Sequence, residues 1–204
     1  MGRNKASAPV SASPSRTVEE RGFQEPARKI SGTRLKQQVA PSPGRTLTQT
    51  RVHLFPSDVG LISAFVDELL RHRSLDPRDV DELGLALREL LLNAVEHGNL
   101  DLSFEDKSNG LAAGTWKQTL AERAQSEPYC HRMTRVIAHW APERVAFTIT
   151  DDGRGFDWRS LPDPTDPANI LRDNGRGVLM ARMSVDALNY SAAGNEVTIV
   201  KRLR

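Results

Sequence analysis

Periodic apolar residues begin only near Val52, so whatever this chain folds into must be assembled from the residues that follow. Met1 to Arg51 is crowded with Ser, Pro, Arg, Lys and Gln and offers almost no repeating apolar positions. Such a segment cannot bury enough surface to offset the entropy of ordering, and residues 1–50 are expected to form a disordered basic tail. Residues 1–51 hold 10 of the 28 Lys and Arg but only 3 of the 26 Asp and Glu, which leaves 18 against 23 in the remainder. The net charge of +2 therefore hides a basic arm on an acidic body. A basic arm could touch nucleic acid, an anionic membrane surface or an acidic protein, but a solvated tail is the simpler reading and nucleic acid is not the expected partner.

The size of 204 residues and the hydrophobic share of 38% support one substantial core. No run approaches the ~18 apolar residues that span a bilayer, and no apolar segment follows the first five residues as in a secretory signal. The expectation is a soluble, cytoplasmic protein with no membrane span. Cys130 is the one cysteine, which excludes an internal disulfide and a cysteine-rich metal site and leaves a structural thiol.

Within residues 51–204, Arg51 to Pro56 reads as an edge strand. Ser57 or Asp58 then caps a helix with the apolar stripe Val59, Ile62, Phe65, Val66, Leu69 and Leu70. Asp76 caps a second helix that starts with Pro77 and carries Val80, Leu83, Leu87, Leu90, Leu91 and Ala94, with Gly98 as its stop. From Asp101 to about residue 133 the chain turns polar, with one helix from Thr115 to Gln125, and is expected to be an insertion packed on the body. Thr134–Trp140 and Arg144–Thr150 alternate as a hairpin, and Ala187–Ser191 and Glu196–Lys201 form a second strand pair joined through Gly194-Asn195. Helices gathered with antiparallel hairpins predict an α+β fold.

Three short patches carry chemistry. Glu89 and Asn93 lie four residues apart on the second helix and so share one polar stripe in a leucine-rich element, with His97 a turn further on and Glu96 beside it. A carboxylate there can orient or deprotonate a nucleophile, while the carboxamide oxygen ligates a hard cation such as Mg²⁺, which keeps several waters and needs few protein ligands. Asp151, Gly153 and Gly155 follow a strand directly, so the glycines let backbone approach a flat ligand and the carboxylate can accept from an exocyclic amine. Gly175, Arg176 and Gly177 open a helix that continues with Val178 and Leu179, where main-chain N–H groups suit phosphate. Between the second and third patches, the Pro-rich loop from Leu161 to Asn174 is placed to act as a lid. His97, His131 and His139 lack a metal-binding spacing, and Trp116, Trp140 and Trp158 are packing or interface residues.

On these motifs, the chain from about Val52 to Arg204 resembles the Bergerat-fold (GHKL) ATP-binding superfamily that includes gyrase and the histidine kinases. It resembles most closely the branch of anti-sigma-factor serine/threonine kinases. The resemblance implies a Bergerat-type α/β sandwich, with one mixed, mostly antiparallel sheet covered by helices on one face. It further implies ATP and Mg²⁺ as cofactors, with Glu89 as general base and Asn93 as the magnesium ligand. Asp151 would read the adenine amine, with Gly153 and Gly155 beside it, and Gly175, Arg176, Gly177, Val178 and Leu179 would line the phosphates. The implied partners are an anti-anti-sigma protein of the STAS type and a sigma factor, with homodimerisation as a further family implication. No dimerisation helix bearing a phosphoacceptor histidine is seen before the domain, which speaks against a sensor histidine kinase. The alternative is a nucleotide-responsive partner-switch module without catalysis. The insertion, the basic tail and Asn195, where threonine is common, depart from the family pattern.

Overall fold

The computed structural model describes residues 49–71, 73–160 and 176–204. Residues 1–48 of the expected tail, the expected lid loop and Gly175 lie outside the described residues. Gln49 and Thr50, the last residues of that tail, are the first of strand β1, Gln49–Pro56.

Asp58 accepts from the Gly60 N–H at 2.9 Å and opens a single 3₁₀ turn, Val59–Leu61, that leads into helix α1, Ile62–Arg71. Its buried stripe is Ile62, Val66 and Leu70. Helix α2, Pro77–Asn93, starts as its sequence demands: the Asp76 carboxylate accepts from Arg78 N–H and Pro77 occupies the first turn, where its missing donor costs nothing. Leu83, Ala86, Leu87, Leu90 and Leu91 are buried along it.

The insertion holds two helices, α3 at Phe104–Ala112 and α4 at Trp116–Gln125. The second matches the expected helix, whereas the first replaces what reads in the sequence as polar loop. Its cause is a capping box: Ser103 Oγ accepts from Asp106 N–H at 3.0 Å, and Ser103 N–H donates to Asp106 at 2.8 Å. Asn109-Gly110, a turn signal by composition, lies inside this helix because Gly110 lets Trp116 pack against the backbone; a Cβ there would meet Trp116 Cε3 at 2.9 Å.

Strands β2, Met133–Ala141, and β3, Arg144–Thr150, form the expected hairpin, followed by helix α5, Arg176–Ser184, and strands β4, Ala187–Tyr190, and β5, Glu196–Arg202. The sheet order is β1-β2-β3-β5-β4, and every ladder among the described residues is antiparallel. Alternation puts Val136, Ala138, Trp140, Val145, Phe147, Ile149, Val197 and Ile199 in one core with the helix stripes. On the other face the chemistry changes, as in the cross-strand Thr148–Thr198 hydroxyl pair at 2.9 Å. The α+β sandwich expected from the sequence is the observed fold. No helix among the described residues is long and apolar enough to cross a membrane.

Candidate functional site

Helix α2 ends in an unusual way. After Asn93 the backbone widens into a π-helical turn, Ala94–Asn99, a feature that often accompanies functional sites. Glu89 and Asn93 stay on one half-buried wall, and His97 and Gly98 continue it. Glu96 leaves that wall. It is 3% exposed and turned into the insertion, where it accepts from Lys107 Nζ at 2.6 Å and Trp116 Nε1 at 3.3 Å. His97 Nδ1 lies 2.6 Å from the Leu102 carbonyl, and its other nitrogen, Nε2, is shielded from solvent with no hydrogen-bond partner.

Asp151 faces this turn from the end of β3. A Cβ on Gly98 would lie 2.5 Å from Asp151 Oδ1, so only a glycine allows the carboxylate to sit there. The segment is pinned from several sides. Buried Asn99 accepts from Asp152 N–H at 2.9 Å and donates to Thr134 Oγ1 at 3.0 Å, and Asp151 N–H donates to the Asn195 carbonyl at 3.0 Å. Gly153 N–H donates to Asp151 Oδ1 at 2.9 Å. Burial nevertheless dominates and pushes the Asp151 carboxyl up to about 6, with the Gly153 bond opposing and the neighbouring Asp152 charge adding to the rise.

Of the third patch, Arg176 and Gly177 lie among the described residues. Gly177 packs directly on Glu89: an added Cβ would fall on Glu89 Oε2. The start of α5 and the carboxylate of α2 are therefore adjacent, although 87 intervening positions separate them in sequence.

Together these groups surround a cleft of about 880 Å³, within the range of small-molecule sites. Among the described residues its wall includes Glu89, Asn93, Asp151, Gly155, Arg176, Gly177 and Val178. Gly153 and Leu179 are not on the wall: Gly153 backs Asp151, and Leu179 is half-buried on α5. Gly155 has a φ of 75°, which favours glycine, and abuts the Ala193 carbonyl rather than open space.

Sequence reasoning missed part of the wall. Phe156 and Tyr190 line it and meet edge to face at 5.3 Å, and burial holds the Tyr190 hydroxyl up at about 12. Phe104, Lys107, Ser108 and Leu111 line it from the insertion. Their signal was present in the Ser103-to-Asp106 capping spacing and the helical repeat that follows it. Elsewhere, Glu127, Cys130 and His131 bring their ligand atoms within 4.8 Å of one another on an exposed turn, a juxtaposition that His spacing alone did not reveal.

The residues present fit a magnesium–nucleotide. Two oxygen donors of the kind Mg²⁺ prefers stand one helical turn apart at Glu89 and Asn93, Gly177 in the first turn of α5 lies against Glu89, and the Asp151 carboxylate lines the same cleft. Residues 54–201 match the family model described as a histidine kinase-like ATPase domain. No curated protein matches the chain.

Proposed function

We propose, because the chain belongs to the histidine kinase-like ATPase domain family, that it is a serine/threonine protein kinase acting as an anti-sigma regulatory factor. The family makes this an ATP-binding, kinase-like domain. The protein substrate would be a small anti-anti-sigma protein of the STAS type, with a sigma factor as the alternate partner. The observation that carries the kinase reading is Glu89: a carboxylate on the cleft wall, one turn from Asn93, with the start of α5 against it.

Phosphoryl transfer asks a protein mainly to position groups and offset charge, and a short set of side chains suffices. Glu89 accepts the proton of the attacking hydroxyl. Asn93 presents its amide oxygen to the magnesium ion, which when bound neutralises phosphate charge. Asp151 accepts from the exocyclic amine of adenine and so favours that base over one with a carbonyl in its place. Gly177 and its neighbours on α5 offer main-chain N–H groups to the phosphates. Leu90, Ile149 and Val197 give the cleft an apolar wall.

The test is transfer from labelled ATP to a STAS-type protein by wild type and Glu89→Ala. Loss of transfer by roughly 10²- to 10⁴-fold is expected, with ATP affinity kept within about threefold. A variant that phosphorylates at the wild-type rate removes Glu89 from this role.

A further inference from the structure

The insertion does not merely pack on the body; it supplies a wall of the cleft. Phe104, Lys107, Ser108 and Leu111 recur at helical spacing on α3, and all four line the same cleft as Glu89 and Asp151. Phe104 is 42% exposed and Leu111 60% exposed, a high exposure for large apolar side chains on an otherwise anchored helix. The anchoring is strong. Lys107 is tied to buried Glu96, Gly110 is packed on Trp116, and Ser103 caps the first turn. A wall held in advance adds little ordering entropy to binding.

One contact points to what this wall meets. Phe104 packs on His97 with ring centroids 4.3 Å apart, and His97 precedes Gly98, which bears on Asp151. The α3 stripe therefore starts at the Asp151 end of the cleft and not at the Glu89–Gly177 end.

The geometry points to α3 as the side of the site that holds the base of the nucleotide, with Phe104 and Leu111 covering it. This rests on the nucleotide reading of the cleft and deepens it: the insertion is a determinant of nucleotide affinity.

Calorimetric titration of ATP and of ADP, each with Mg²⁺, into the full chain tests it, using wild type, Phe104→Ala, Leu111→Ala and, as control, Asp151→Asn. Both side chains are exposed, so truncation spares the core, and near-ultraviolet circular dichroism verifies the fold. Phe104→Ala is expected to weaken ATP and ADP alike, by about tenfold, as base–aromatic contacts typically do, and Leu111→Ala by less. Equal loss for the two nucleotides places the contact on the part they share. Wild-type affinity in both variants overturns the inference alone, as does a loss confined to ATP. Impaired phosphoryl transfer with unchanged nucleotide binding overturns it too, because the stripe would then serve the protein substrate. Absence of nucleotide binding by wild type overturns this inference together with the proposed function.

Discussion

Asp151 is held under opposing demands. The proposed role asks Asp151 to accept from an adenine amine as a carboxylate at neutral pH, yet burial raises its folded value to about 6 from 3.8. Between those values the folded chain keeps a proton that the unfolded chain has released. The stability this contributes is complete below about pH 4 and is lost as pH rises through about 6. An Asp151→Asn variant escapes that loss and still accepts from Gly153 N–H. Its melting temperature is expected to exceed that of wild type above pH 6 and to converge with it near pH 4, while nucleotide binding disappears. Thermal denaturation of both proteins from pH 4 to 7.5 checks this, and parallel curves would show that ionisation of Asp151 does not burden the fold. Wild-type ATP affinity should also fall as pH drops below about 6.

At the level of elements, the site depends on how closely α5 approaches α2. Gly177 and Glu89 are in contact, and a methyl group at position 177 has to displace either the carboxylate or the helix start. Gly177→Ala is expected to lower phosphoryl transfer at least tenfold while the melting temperature moves by only about 2 °C, because α5 is nine residues with few buried side chains. Steady-state transfer assays beside thermal melts separate the two effects; unchanged transfer would show that the contact yields freely. The π-helical turn works at the same scale. It lets His97 and Gly98 stay on the wall while Glu96 goes to the insertion, a division that a regular helix pattern read from sequence assigns to one stripe.

Across the whole molecule, the last residues strap the final strand to α2. Arg204 N–H and Nη1 donate to Asp79 at 2.8 and 2.5 Å, and the guanidinium also reaches Glu82, which Lys201 contacts from β5. Asp79 is fully buried, so losing this partner would leave its side chain without these hydrogen bonds away from solvent. The Arg204 hydrogen bond first, and Lys201 second, pull Glu82 down to about 2 from 4.5. Because that folded value is depressed, the stabilisation is present above pH 4.5 and lost as pH falls toward 2. Arg204→Ala is expected to lower the melting temperature by roughly 5 °C at pH 7, with the gap to wild type narrowing below pH 4.5. A gap that stays constant down to pH 2.5 would sever the strap from the acid sensitivity.

Strands, helix starts and the order of elements were legible in the chain because they rest on local rules: alternation in β2, β3 and β5, an Asp-Pro start for α2, the apolar stripe of α1. The residues of the three patches were legible as candidates for the same reason, since each patch is a short local spacing. Helix α3 was not, because polar composition and Asn-Gly masked a capping box whose worth depends on Trp116 packing at Gly110. Nor could any local rule set Gly177 against Glu89, or Gly98 against Asp151. Apart from α3, sequence by itself determined which elements form and which side chains each one carries. Only tertiary packing decided that α2, α3, α5 and the ends of β3 and β5 enclose a single cleft, because contacts between residues far apart in the chain exist only once the core has brought their elements together.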